Sequence, residues 1–145
     1  MSNGFPLQIV TPDGLLFSGE AEKLIVRTVS GDVCILPQHC NYLTALGMGE
    51  ARVFVEGDVR YAACMGGMLA VLNGSVRLVP TTFEWAEDLD TSRLERILRE
   101  VPEQLEKLTS RPADVIAQDK ARLKRAQVRY SVVQRAKAAR AANRH

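Results

Sequence analysis

Hydrophobic and polar positions change their period once along the chain, across Glu84–Arg93. Before that stretch apolar residues alternate in short runs closed by turn residues; after it they recur every three or four positions. Leu7 and Ile9 alternate with polar neighbours up to Thr11-Pro12-Asp13-Gly14, where proline presets one dihedral and glycine is free to take a positive φ. Runs at Leu15–Phe17, Lys23–Val29, Val33–Leu36, Tyr42–Leu46, Ala51–Val55, Val59–Cys64, Met68–Leu72 and Ser75–Pro80 follow, with turn signals between them. The longest places Leu24, Val26 and Thr28 on one side and Ile25, Arg27 and Val29 on the other, as a packed sandwich requires. Asn73-Gly74 is the strongest hairpin signal, because a type I′ turn needs positive φ at both central residues. Short strands at this spacing predict an all-β sandwich or barrel of about eighty residues and not a parallel sheet.

Beyond the stretch, Asp90, Thr91 and Ser92 can each cap a helix, and Leu94, Ile97, Leu98, Val101, Leu105 and Leu108 make one apolar face. Pro102 lacks the amide that would bond back to Leu98, so a kink or break is expected near Val101. Thr109–Pro112 reads as a connection. A second helix then carries Ile116, Leu123 and Tyr130 seven apart with Ala126 and Val133 between them, a narrow heptad-like seam. The expected fold is an N-terminal β-sandwich over residues 1–86 followed by a C-terminal antiparallel α-helical hairpin over 87–145. Modest stripes make the packed hairpin only marginally preferred, which suits a conformational switch; a fixed appendage is the competing reading.

Composition changes this picture little. The chain has 145 residues, 46% hydrophobic and 25% charged, enough for one core with an appendage. No window reaches the roughly 18 consecutive apolar residues of a membrane span. The segment Met1–Pro6 has no signal-peptide character, so residence in the cytosol without membrane insertion is expected. Cys34, Cys40 and Cys64 are odd in number and lack Cys-x-x-Cys spacing, which indicates reduced thiols, neither a disulfide framework nor a metal site.

Charge changes it more. Residues 1–83 hold 5 Lys and Arg against 7 Asp and Glu, whereas residues 84–145 hold 14 against 10. After Asp119 there is no acid, while Lys120, Arg122, Lys124, Arg125, Arg129, Arg135, Lys137, Arg140 and Arg144 follow, so this segment seeks a negative partner or stays solvated. A basic nucleic-acid-binding module is the alternative. It is opposed by a sole aromatic, Tyr130, that sits on the apolar seam, and by a slightly acidic β half.

Chemistry is thin. His39 is the only internal histidine, no Ser or Cys has a local base partner, and no Gly-rich run has phosphate-loop spacing, so no catalytic residue is assigned. Gly66-Gly67 reads as a close approach of backbones, not a phosphate cradle. His39 reads equally as a residue bonded within its own loop and as a contact residue on a rigid scaffold.

Several segments, in order and at matching spacing, resemble one family: Leu7–Val10, Phe17–Gly19, Ile35–His39, Leu43–Leu46, Gly66–Val71 and Ala86–Asp90. Over nearly its full length the chain is similar to the epsilon subunit of bacterial F-type ATP synthase. That resemblance implies a non-catalytic rotor subunit of the central stalk, peripheral at the cytoplasmic face of the bacterial plasma membrane. Its sandwich would bind gamma and meet the c-ring, and its hairpin would extend along gamma toward the alpha and beta subunits to restrain ATP hydrolysis. The loop Gly31–Asn41 matches the stalk-contact loop, which puts Asp32, Gln38 and His39 at gamma and the ring. There the family's Pro-Gly-His reads Pro37-Gln38-His39, Val33-Cys34 replaces a residue and glycine, and Asn41 replaces a proline.

The basic helix residues Lys120, Arg122, Lys124, Arg125, Arg129 and Arg135 would meet acidic surface on the catalytic subunits. Some members bind ATP as a regulatory ligand at the start of the hairpin. Leu89, Asp90 and Arg93 keep that outline, with Glu84 as a further acid and Arg122 and Arg125 as phosphate contacts. Leu94 stands where the pattern has alanine, so a helix-capping Asp90 and an ion-pairing Arg93 are preferred over a nucleotide site.

Overall fold

The computed structural model describes residues 4–106 and 113–142. Ten strands fill the first part: β1 (Phe5–Thr11), β2 (Gly14–Ala21), β3 (Lys23–Thr28), β4 (Gly31–Ile35), β5 (Tyr42–Ala45), β6 (Met48–Val55), β7 (Asp58–Met65), β8 (Met68–Leu72), β9 (Ser75–Val79) and β10 (Thr82–Trp85). One sheet has the order β2-β1-β9-β8-β5 and the other β10-β7-β6-β3-β4, so the architecture is a sandwich.

Alternation builds its core. Leu7 and Ile9 of β1, Leu24 and Val26 of β3, Val53 of β6, and Leu69 and Leu78 of β8 and β9 are buried between the sheets, while their neighbours point outward. Thr28 is buried too, its hydroxyl donating to the Gly31 carbonyl at 2.7 Å, which satisfies a polar group that would otherwise destabilise the core. The turn at Asn73-Gly74 has φ of 50° and 83°, as a type I′ turn requires. Cys64 lies in the core, where burial pushes its thiol up to about 12, while Cys34 and Cys40 are exposed.

Two features are not in the sequence reading. β1 pairs with β9 in parallel, so the first sheet is mixed. The change of period also begins later than Glu84: Thr82–Trp85 is a strand on the edge of the second sheet, with Phe83 and Trp85 turned into the core and their rings 4.8 Å apart, edge to face. Ala86–Asp88 then forms a single 3₁₀ turn leading to the helices.

Helix α1 (Thr91–Glu106) starts at Asp90, whose Oδ1 accepts from the Ser92 and Arg93 amides at 3.0 and 3.4 Å, an N-cap of ordinary form. The break allowed near Val101 does not occur, and α1 runs through Pro102, because a proline removes one backbone bond while neighbouring turns keep theirs. The expected connection Thr109–Pro112 and the face residue Leu108 lie outside the described residues, as do the side chains of Val101, Leu105 and Ile116. Helix α2 (Ala113–Ala142) packs along α1, and Leu94, Ala126 and Val133 are buried, as the seam implies.

Helix α2 also has a second apolar stripe that the heptad reading missed. Val128, Val132 and Ala136 lie against Ala63 and Met65 of β7 and against Ala86, so α2 covers the outer face of the second sheet. A spacing of four residues along α2 keeps these side chains on one face. The hairpin is thus folded back onto the sandwich.

Candidate functional site

The loop after β4 is set by one strained residue. Gln38 has φ of 66°, in the left-handed region that favours glycine. Its neighbour turns back, the His39 amide donating to the Leu36 carbonyl at 3.2 Å. The His39 Nδ1 lies 2.8 Å from the Cys40 carbonyl, which can only accept, and its ring meets Tyr42 edge on at 6.0 Å. His39 is therefore held within its own loop and half-buried. Asn41 anchors the loop: its Oδ1 accepts from the Asn73 amide at 2.8 Å. Gln38→Gly is expected to stabilise the chain by about 1 kcal/mol, because glycine takes positive φ without the steric penalty. An unchanged or lowered urea midpoint would contradict this.

Asp32 is exposed on β4 and gripped by a forked pair: Arg27 Nε donates to Oδ1 at 2.7 Å and Nη2 to Oδ2 at 3.3 Å. Those hydrogen bonds hold its carboxyl below the usual range. Its near neighbours are Arg52 and Glu50 of β6. Glu50 Oε1 and Arg52 Nε stand 2.9 Å apart, yet neither makes a hydrogen bond. Arg135 of α2 approaches the other Glu50 oxygen at 3.4 Å. Burial is the largest influence on Glu50 and pushes its carboxyl up, and the two arginines do not cancel it.

At the joint the charges are better matched. Arg129 of α2 donates from Nε to Glu84 Oε1 at 2.7 Å, across 45 positions of sequence. Arg60 lies 3.7 Å over the Trp85 ring and donates to Glu87 at 2.7 Å. A cleft of about 510 Å³ opens beside this group, lined by Arg60, Tyr61, Glu87, Ala136, Ala139 and Arg140.

Of the residues considered as nucleotide contacts, Glu84 is occupied by Arg129, Asp90 carries the cap, and Leu89 is half-buried. Arg93 and Arg122 are exposed and Arg125 is half-buried; no ion pair of Arg93 is found among the described residues. Neither this cleft nor the one described next is lined by any of them. Lys120 and Lys124 are exposed on α2, whereas Arg129 and Arg135 face the sandwich. Among the described residues there is no group of three His, Cys, Asp or Glu placed to hold a metal, and no helix long and apolar enough to cross a membrane.

Among the described residues, neither helix covers the outer face of the first sheet. It exposes Leu43, Met68, Leu72 and Val79 on adjacent strands β5, β8 and β9, with Leu43 69% and Leu72 61% accessible. Beside them runs a shallow cleft of about 980 Å³ bordered by Pro6, Gln8, Glu20, Leu72, Ser75 and Arg77. Exposed apolar residues grouped on adjacent strands are the kind of surface that protein contacts use. No sequence signal flagged it, since single exposed apolar residues are common.

One sheet face covered by helix α2 and an opposite face with exposed apolar residues define a two-part module, a β-sandwich with helices packed on one side. Residues 4–86 match the family described as ATP synthase, Delta/Epsilon chain, beta-sandwich domain. The ATP synthase epsilon chain of Ruminococcus albus is 36% identical over 129 residues, 88% of this chain and 95% of that one. That of Alkaliphilus metalliredigens is 36% identical over 107 residues, 74% and 80% of the two chains. The chain belongs to the ATP synthase epsilon-chain family, and as such it is a non-catalytic stalk subunit. Among solved structures, the Euglena gracilis mitochondrial ATP synthase contains a chain with TM-score 0.71 at 20% identity, covering 96% of this chain and 82% of that one. The central stalk and c-ring of the Tetrahymena thermophila mitochondrial enzyme contains another, with TM-score 0.56 at 14% identity and coverage of 90% and 94%. These two likenesses support the sandwich and helices as a fold.

Proposed function

We propose that the chain couples the gamma subunit to the c-ring through its sandwich and restrains ATP hydrolysis through its hairpin. It would do so on the cytoplasmic face of the bacterial plasma membrane. The observation that carries this reading is the division of labour between the two outer sheet faces. The band of Leu43, Met68, Leu72 and Val79 is free while the hairpin occupies the other sheet, so gamma can bind the first without displacing α2 from the second. The loop Gly31–Asn41 carries Asp32 on β4 and Gln38 and His39 beyond its far end, and these would supply contacts to gamma and the ring.

In the extended state, the basic residues of α2 would reach acidic surface on the alpha and beta subunits, an attraction that salt weakens. The packed hairpin supports the resting half of that cycle. A chain ended at Leu108 is expected to co-purify with gamma and the ring as the full chain does, and to raise ATP hydrolysis by the assembled enzyme. Loss of co-purification would sink the sandwich as the docking unit; unchanged hydrolysis would sink the regulatory role.

A further inference from the structure

The basic residues of α2 are not equivalent. A step of three residues turns a helix by 300°, so Arg129 and Arg135 stand about 60° to either side of Val132, at the margins of the stripe that packs on the second sheet. Of the two, Arg129 is the better held. Its side chain is 22% exposed and that of Glu84 34%, and the pair is hydrogen-bonded at 2.7 Å. Arg135 is 57% exposed, approaches Glu50 only to 3.4 Å, and leaves the burial of that carboxylate uncompensated. Lys120, Arg122, Lys124 and Lys137 are exposed and make no ion pair among the described residues.

Glu84 lies on β10, directly before the 3₁₀ turn and the cap of α1. A bond from this strand to the middle of α2 closes the joint, because α2 cannot leave the sheet while it holds. A partly buried, charge-assisted bond is also worth more than the exposed pairs elsewhere on the surface.

We infer that Arg129 is an exchange residue: in the packed hairpin Glu84 binds it, and Glu84 thereby competes with any acidic partner surface for the same guanidinium. The inference rests on the regulatory reading above and adds its control point. The two sides of the bond then have different signatures. Removing the acid frees both the helix and the cation. Removing the base frees the helix but takes away the cation that the partner would bind.

The test uses full-length chains carrying Glu84→Gln, Arg129→Gln, both together, or the exchanged pair Glu84→Arg with Arg129→Glu. Hydrogen exchange of α2 in the isolated protein reads closure. Each single variant is expected to lose roughly tenfold in protection, the double to lose no more than the singles, and the exchanged pair to regain part of it. ATP hydrolysis by the assembled enzyme reads the cation. Glu84→Gln is expected to lower hydrolysis several-fold below that of the natural chain, and Arg129→Gln is not.

Unchanged protection in both single variants overturns the latch whatever the hairpin does in the complex. Loosened helices with equal hydrolysis in the two single variants overturn the exchange. If truncation at Leu108 also leaves hydrolysis unchanged, the failure belongs to the regulatory reading and not to the bond.

Discussion

Gly67→Ala is expected to destabilise the sandwich by about 3–4 kcal/mol, the sum of a left-handed backbone penalty and a forced shift of packed main chain. Gly66 and Gly67 carry the chain from β7 in one sheet to β8 in the other. Gly67 has φ of 94°, and a Cβ placed there would lie 2.0 Å from the Val79 carbonyl oxygen and 2.6 Å from Pro80 Cα. Backbone cannot rotate aside as a side-chain tip can. Nor is the corner free to move: the Leu46 amide donates to the Gly67 carbonyl at 2.8 Å, and the Gly66 amide to the Gly47 carbonyl at 3.1 Å. Against a total stability of about 5–15 kcal/mol, such a loss is a large fraction. Gly57→Ala separates the two causes, since Gly57 has φ of 76° with nothing within 4 Å of the added Cβ. It is expected to cost only about 1 kcal/mol. Equal urea midpoints for the two variants would show that the crowding at Gly67 is relieved at no expense.

That corner was legible in the sequence as a close approach of backbones, and so were most of the strands, because alternation is imposed locally by the pleat. The sides assigned to Lys23–Val29 hold in the core, with Leu24, Val26 and Thr28 buried. The last strand was lost for a specific reason. Thr82–Trp85 alternates correctly, but it abuts acids and a helix cap, and a four-residue signal there is absorbed by its neighbours. The parallel pairing of β1 with β9 joins segments nearly seventy positions apart and leaves no local trace.

At the site the same distinction applies. Asp90 as a cap was readable, because the acceptor and its donors are two and three residues apart. The Arg129–Glu84 bond was not, since neither residue's neighbourhood names the other. The second face of α2 was hidden by composition: Val128, Val132 and Ala136 are diluted by arginines and small residues, so the heptad seam dominated. An amphipathic pattern reports one partner well. A helix gripped between α1 and a sheet needs two stripes, and the weaker is read as solvent-facing.

The weaker stripe sets the second large effect. Val132 is 1% exposed against Ala63, Met65 and Ala86, and Val132→Glu would bury a carboxylate on that apolar patch, while the two arginines flanking it, Arg129 and Arg135, already face Glu84 and Glu50. Such burial costs at least about 3 kcal/mol, which the helix avoids by leaving the sheet. The sandwich should survive, because its core cluster runs from Phe5 to Trp85 and contains no residue of α2. The expected result is loss of amide protection throughout α2 with protection of β3, β6 and β7 retained, and a fall in helical signal, since an unsupported hairpin is marginal. Val132→Ala, which removes two methyl groups without adding a charge, is expected to shift the same balance by only about 1–2 kcal/mol. If Val132→Glu leaves α2 protected, the hairpin is not held by this face. If it unfolds the sandwich as well, the two parts form one cooperative unit and the hairpin cannot act as a separable switch. Detachment of α2 alone would place the switch in the contact between a small apolar stripe and β7, with the charged bond at the joint deciding how often that contact opens.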